Sequence, residues 1–450
     1  MATTTYLQNT HTGTGSNTGA KATMSVWVKR TDIAGDDRST IIGARADDNN
    51  YFKIRFADND RLMIYGARSS GVNVNIETDA EFRDVSGWYH IVLQIDTTSS
   101  TETERVKWYV NGELQTIRSS GRNYPDQNDV NQLTSASDIN IGCNAVGSPN
   151  EHFDGTMSHF HMIDGTIYPP TAFGSTDSVT GEWQINTAPN VTYGAKGFFI
   201  LKDGNSVTDA SPNTNNFTVA GGTLTKTEDN PSNVFATLNP LSHFFGTAPT
   251  FSNGNNTVTT SSASGSINPS PATLGITSGK WYWEGKLVNA PSSNYALIGI
   301  MAQAPAAAGG QNFLGGVNDT YGYASWNGTL YNSAGSTGNT SGGATYTTGD
   351  ILSIAVDADN NRLYYYKNGT IQNSGTGIVI PAAADTLFGA WLPAVGDWDT
   401  PSLVWSCNFG NGFFGTTAVS SAGTNASGNG IFEYNVPSGY TALSTKGLNL

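Results

Sequence analysis

Two segments in opposite halves of the chain are written in one grammar. Residues 105–114 read RVKWYVNGEL and residues 362–371 read RLYYYKNGTI. In each, a run alternating apolar and polar residues reaches Asn-Gly and then returns. Asn-Gly is a strong hairpin signal, because a two-residue type I′ turn needs φ > 0 at both central positions. A run ending in aspartate precedes each hairpin: WYHIVLQID at 88–96 and DILSIAVD at 350–357. The halves are not sequence repeats. The same device used twice predicts two separate antiparallel sandwiches.

Other segments agree. TMSVWVKR (23–30), YFKIRF (51–56) and LMIY (62–65) alternate as strands do when one face is buried and the other wet. No amphipathic helix longer than two turns is legible. With 52 glycines and only 13% charged residues, the chain suits short strands and Gly/Asn turns better than helices. The predicted fold class is therefore all-β, with sandwiches at 1–175 and 250–450 and a connector at 176–249. The connector keeps Phe198, Phe199, Phe217 and Phe235. A disordered linker rarely holds such residues, so it is predicted to be ordered, irregular and packed on one or both sandwiches. The Gly/Ser/Thr/Asn-rich stretches 253–266 and 333–343, and the run 302–310, are predicted surface loops.

Several function classes are excluded. Net charge is −14 and the lysines and arginines are scattered, which is not a nucleic-acid footprint. No run approaches the roughly 20 apolar residues of a membrane span. The N-terminal MATTTYLQNTHTGTG is polar and does not read as a secretory signal, so the expected protein is soluble and not exported by that route. Cys143 and Cys407 are predicted to be buried free thiols in different domains. No phosphate-binding loop, dinucleotide fingerprint, zinc spacing or nucleophile elbow occurs.

Three resemblances rest on particular residues. SVWVKR (25–30), GWYHIVLQID (87–96), WYVNGEL (108–114) and FDGTMSHFHMIDG (153–165) stand in the order of the LamG-like, concanavalin A-like lectin/glucanase group, so 1–175 resembles that group. SGKWYWEGKL (278–287), LIGIM (297–301), YGYASWN (321–327), 349–369, CNFG (407–410) and PSGYTAL (437–443) resemble a SPRY domain. GFFILKD, SPNTNNFT and DNPSNVFATLNPL resemble the segment joining these two modules in virion proteins of tailed phages. A fold alone does not fix function.

The candidate sites each carry a functional and a structural reading. Trp398, flanked by Asp397 and Asp399 in LPAVGDWDTP (392–401), is read in a long loop. It has the chemistry of an exposed recognition aromatic, with Trp391, Tyr323 and Trp326 as neighbours. The other reading is a core tryptophan capping the sandwich end. His159 and His161 form His-x-His in a predicted strand and point to one face. They are either metal ligands, as in some trimeric phage fibres, or part of a wet face with Phe160 and Met162 packed behind. Asp47, Asp48, Asn49 and Asn50 precede YFKIRF, where pentraxin-like relatives place calcium ligands. The partners would come from around Asn144, where no Glu-x-Asp stands. Glu77, Asp79 and Glu81 spell the E-x-D-x-E of retaining glucanases. Their setting between VNVNI and GWYHIV favours a solvated acidic loop, and no catalytic residue is assigned.

The resemblances imply a non-enzymatic virion surface protein: a fibre, head appendage or receptor-binding protein recognising a host-surface glycan or protein through sandwich loops. It would be made in the bacterial host cytoplasm, bind other virion proteins and form a homo-oligomer. No cofactor is expected, and calcium at Asp48 and Asn49 is the one candidate ion that the resemblance offers. The alternatives are a capsid or tail decoration protein with no host ligand, and a glycan depolymerase.

Overall fold

Both Asn-Gly turns form as the sequence requires. Asn111 and Gly112 have φ of +48° and +83°, and Asn368 and Gly369 have +46° and +77°. Each asparagine also ties its hairpin to the preceding strand. Asn111 donates its N–H to the His90 carbonyl (2.9 Å), and its Oδ1 accepts the His90 N–H (2.8 Å). Asn368 does the same to Ile351, at 2.8 Å and 2.9 Å.

The structure is a computed structural model that describes residues 4–10, 19–33, 39–69, 71–135, 138–202, 204, 206–242, 248–261, 269–291, 295–302, 313–332, 339–398 and 402–449. The chain divides into two units, Met1–Lys226 and Thr227–Leu450. Among the described residues the one α-helix is Gln132–Ser135, and no helix is long and apolar enough to cross a membrane.

The first unit is a sandwich of two antiparallel sheets. One has seven strands, in the spatial order Thr218–Gly221, Tyr6–Thr10, Asp138–Ile141, Ser39–Asp47, Asn50–Phe56, Arg61–Arg68, Gly71–Glu81. The other has six: Phe198–Ile200, Gly155–Asp164, Lys21–Arg30, Tyr89–Asp96, Val106–Val110, Glu113–Leu114. Inward residues such as Val26, Ile54, Phe56, Ile64, Ile91, Leu93, Trp108 and Phe160 fill the core. The six-stranded sheet is not wet outside, contrary to the alternation reading. Its outer face carries Val92, Ile163 and Phe199, covered by Phe173 and Tyr193.

The second unit is also a sandwich. Its larger, nine-stranded sheet runs Thr250–Ser252, Thr257–Thr259, Val404–Asn408, Lys280–Asn289, Ile351–Asp357, Arg362–Lys367, Thr370–Ile371, with Ile378–Val379 and Thr441–Ala442 attached. The Thr441–Ala442 strand is parallel to Lys280–Asn289. The five-stranded sheet runs Ser270–Pro271, Leu392–Asp397, Ala296–Met301, Thr320–Ala324, Leu330–Asn332. Between the sheets lie Trp283, Ile298, Ile354, Trp391 and Trp405.

The segment 176–249 is ordered and divided between the units: Phe198 and Phe217 complete the first core, and Phe235 packs on Tyr282 and Phe432 in the second. Three expectations need revising. Residues 77–81 are not a loop but the end of the Gly71–Glu81 strand. Residues 392–397 are a strand, so Asp397 lies in a sheet and not in a loop. Within 253–266, Thr257–Thr259 is a strand. The remaining loop expectations at 303–310, 262–266 and 333–338, and Asp399, lie outside the described residues.

Candidate recognition site

The strands Ala296–Met301 and Leu392–Asp397 are apolar on both faces. Ile298, Ile300 and Val395 enter the core, whereas Leu297, Met301 and Ala394 face outward with Ala324, Phe313 and Leu314. An outward apolar face needs cover, and here aromatic rings supply it. Trp326, Tyr331, Leu392 and Trp398 pack on it and remain half-buried.

The rings form one connected group. Trp326 and Trp398 have centroids 5.2 Å apart at 33°. Tyr295 stands edge-on to both, at 5.3 Å and 5.7 Å. Phe313 meets Trp398 at 5.1 Å and Tyr331 at 5.2 Å. The Trp398 N–H donates to the Tyr295 carbonyl at 3.1 Å, which anchors the strand end beneath the rings. Half-exposed indole and phenol rings present apolar faces with polar edges, the surface chemistry found at recognition hot spots.

Trp391 and Tyr323 are not part of this group. Trp391 is fully buried, donates its indole N–H to the Pro381 carbonyl (3.2 Å) and meets Tyr321 at 5.5 Å. Tyr323 is fully buried, donates to the Ala344 carbonyl and packs on Tyr346 and Tyr365. Strand parity explains the split. Trp391 and Trp398, like Tyr323 and Trp326, are an odd number of residues apart and face opposite sides of the sheet. Asp397 is 1% exposed and pairs with Ala296 in the sheet, so it is not a surface carboxylate. Tyr295, Phe313 and Tyr331 were not singled out from sequence. The signal for them was the two-sided apolar strand ALIGIM, which needs cover on its second face.

The histidine pair is split by a bulge. His159 has φ of +49°, and the pairing with Lys21–Arg30 shifts between Ser158 and His161. The Ser158 hydroxyl lies 2.8 Å from His159 Nδ1. His161 is 2% exposed, stacks on Phe199 at 3.9 Å, and its Nδ1 is 2.9 Å from the Tyr193 hydroxyl. The expected wet face is thus an aromatic interior, because the chain beyond the strand folds back over it. Burial, then the neighbouring histidines, holds His161 well below the usual imidazole range.

The Asp47–Asn50 turn is closed on itself. Asp47 accepts the Asn49 N–H (2.8 Å) and the Asn50 amide (2.9 Å), which lowers its carboxyl below the usual value. Asp48 pairs with Arg45 (3.1 Å). The Asn144 amide is bonded to Asn150 (3.0 Å). Among the described residues no group of three His, Cys, Asp or Glu is placed to hold a metal. Of the acidic motif, Glu77 meets Arg118 (3.2 Å), Glu81 meets Arg61 (3.0 Å) and Arg83 (2.9 Å), and Asp79 is exposed.

The comparisons with known families identify the type of each sandwich. Residues 2–171 match the concanavalin A-like lectin/glucanases superfamily, and residues 280–392 match the SPRY domain. A LamG-like domain and a SPRY domain are therefore both present. No curated protein matches the chain. Among solved structures, the SPRY domain of human HERC1 is similar at 19% identity over 38% of this chain and 96% of its own, with a TM-score of 0.30. A heptameric SAP-like pentraxin of Limulus polyphemus is similar at 15% identity over 37% of this chain and 72% of its own, TM-score 0.28. A candidate carbohydrate-binding protein of Bacteroides ovatus is similar at 17% identity over 50% of this chain and 60% of its own, TM-score 0.30.

Proposed function

We propose that this chain is a non-enzymatic recognition protein on the surface of a tailed-phage particle. In this reading it is a fibre, head appendage or receptor-binding protein that engages a host-surface glycan or protein through the outer face of its SPRY sandwich. The observation that carries recognition is the half-buried ring group of Tyr295, Trp326, Tyr331 and Trp398. The domain pair and the segment joining it, which resembles that of phage virion proteins, support the particle assignment. A strongly acidic chain keeps such a protein from unspecific association.

Purified protein is expected to bind host cells and to slow phage adsorption, and Trp326→Ala with Trp398→Ala should abolish both at unchanged fold. Wild-type protein that neither binds cells nor slows adsorption overturns host recognition. Labelling of intact particles tests the location. Hundreds of copies on the shell with no cell binding would replace this reading with that of a decoration protein.

A further inference from the structure

Neighbouring strands of the SPRY sandwich deliver their rings to one edge. Tyr295 directly precedes Ala296–Met301 and Trp398 directly follows Leu392–Asp397, and Ala296 pairs with Asp397. Trp326 lies two residues beyond Thr320–Ala324, whose Ala324 pairs with Leu297. Tyr331 pairs with Gly322 on the far side of that strand, and its ring lies 6.0 Å from Trp326 at 37°. Trp326 thus touches Tyr331 on one side and Trp398 on the other, at 5.2 Å.

The polar edges of these rings have no internal partner. Among the described residues, no group hydrogen-bonds the indole N–H of Trp326 or Trp398, or the hydroxyl of Tyr295 or Tyr331, and all four remain open to solvent. Other rings of the same unit direct theirs inward. Trp281, Trp391 and Trp405 donate to the carbonyls of Ser278 (2.6 Å), Pro381 (3.2 Å) and Gly396 (3.2 Å), and the Tyr346 hydroxyl donates to that of Ala296 (2.9 Å). Open donors around apolar ring surface match a ligand that alternates C–H faces with hydroxyls, as a sugar does.

Charge narrows the choice of sugar. No lysine or arginine occurs in 287–361 or 368–445, and the rings and strands of this face fall within those stretches. Lys280 and Lys367 belong to the other sheet and are engaged there, with Asp357 (2.9 Å) and Asp350 (3.1 Å). A carboxylate, sulfate or phosphate finds no cation on these strands, in a chain of net charge −14. The turn after Trp326 offers uncharged hydrogen-bonding groups instead, the exposed Asn327 and half-buried Thr329.

We propose that this face binds an uncharged polysaccharide, which rests on its recognition role and narrows that role to one class of ligand. Successive sugar rings lie on Tyr331, Trp326 and Trp398, and their hydroxyls take the open ring edges. Acidic glycans are not ligands of this face.

The test is calorimetry of the full chain with oligomers of glucose, mannose and galactose, and with oligogalacturonate and heparin as acidic probes. At least one neutral oligomer is expected to bind, with an affinity that changes less than about twofold between low and high salt. Trp326→Ala with Trp398→Ala should weaken it about tenfold or more. Tyr295→Phe with Tyr331→Phe keeps the rings and removes only the hydroxyls. It should weaken binding about threefold or more at unchanged melting temperature, and it decides if the tryptophan variant does not fold. Binding of the acidic probes alone, no binding of any neutral oligomer, binding that collapses with salt, or full affinity in the Tyr→Phe pair overturns the proposal. Host cells distinguish its failure from that of the recognition role. Protein that still binds periodate-treated cells but not protease-treated ones keeps the role and loses the sugar. Protein that binds a neutral oligomer but no cells keeps the sugar and loses the role.

Discussion

The indole N–H of Trp183 donates to Nδ1 of His90 across 2.8 Å, and this contact fixes the state of a buried base. Because Nδ1 accepts, the proton of the neutral ring sits on Nε2, which faces the Ser25 hydroxyl at 2.9 Å. Trp27 and Trp183 stack on the ring at 4.8 Å and 5.9 Å. Burial pushes the His90 imidazole down to about 3, and His161 is depressed in the same direction.

An unfolded chain with ordinary histidines therefore takes up protons that the folded first unit refuses. The stabilisation from neutral His90 and His161 is present above about pH 6.5 and falls as pH drops toward His90's value near 3, by on the order of a few kcal/mol. Hydrogen exchange on peptides of the first unit should show this acid limb. His90→Gln with His161→Gln should flatten it, and an unchanged limb would refute the assignment.

The second unit should respond in the opposite direction. Glu284 is fully buried and accepts the Tyr282 hydroxyl and the N–H groups of Glu433 and Tyr434, each at 2.9 Å. Burial nevertheless raises its carboxyl from 4.5 to about 7, against the donors that lower it. A raised carboxyl favours the folded state most below the unfolded value, and that benefit is lost as pH rises through about 7. Peptides around residues 282–286 and 432–436 should be better protected at pH 5 than at pH 8, and Glu284→Gln should remove the difference.

The Asn-Gly turns make a prediction about glycine. A Cβ on Gly112 would stand 2.5 Å from the Trp183 ring, and one on Gly369 would stand 2.6 Å from Tyr434, both at positive φ. Gly121 also has positive φ, but nothing lies within 4 Å of such a Cβ. In urea denaturation, Gly121→Ala should cost about 1 kcal/mol, from backbone strain alone. Gly112→Ala and Gly369→Ala should cost more, because a packed ring must also move. Equal costs would mean that the rings yield freely.

Two tryptophans seven residues apart should separate cleanly on truncation. Trp391→Ala removes a fully buried ring and should cost about 3–5 kcal/mol. Trp398→Ala removes a half-buried ring and should cost about 1–2 kcal/mol, in proportion to the smaller area buried. Denaturant midpoints compare them directly. A Trp398 as costly as Trp391 would make it a core residue and remove it from the recognition surface.

Much of this architecture was legible in local patterns. The hairpins at Asn111 and Asn368 formed because their turn chemistry is contained in two residues, and the buried free thiols Cys143 and Cys407 fall in separate units as expected. The recognition surface was half legible. Trp326 and Trp398 stood out as aromatics, but Trp391 and Tyr323 were grouped with them by proximity in sequence, where strand parity sends them to the opposite face.

By itself the sequence determined the period of its strands, the sites of its tight turns and the fact that two sandwiches would form. These depend on interactions within a few residues, which composition and spacing record. Only the tertiary structure decided which outer faces are covered. His161 looked wet until residues 168–193 folded over it, and Glu151 acquired Lys53 and Arg55 from one strand nearly a hundred residues earlier. Burial of a face depends on what distant chain arrives there, and no local pattern carries that information.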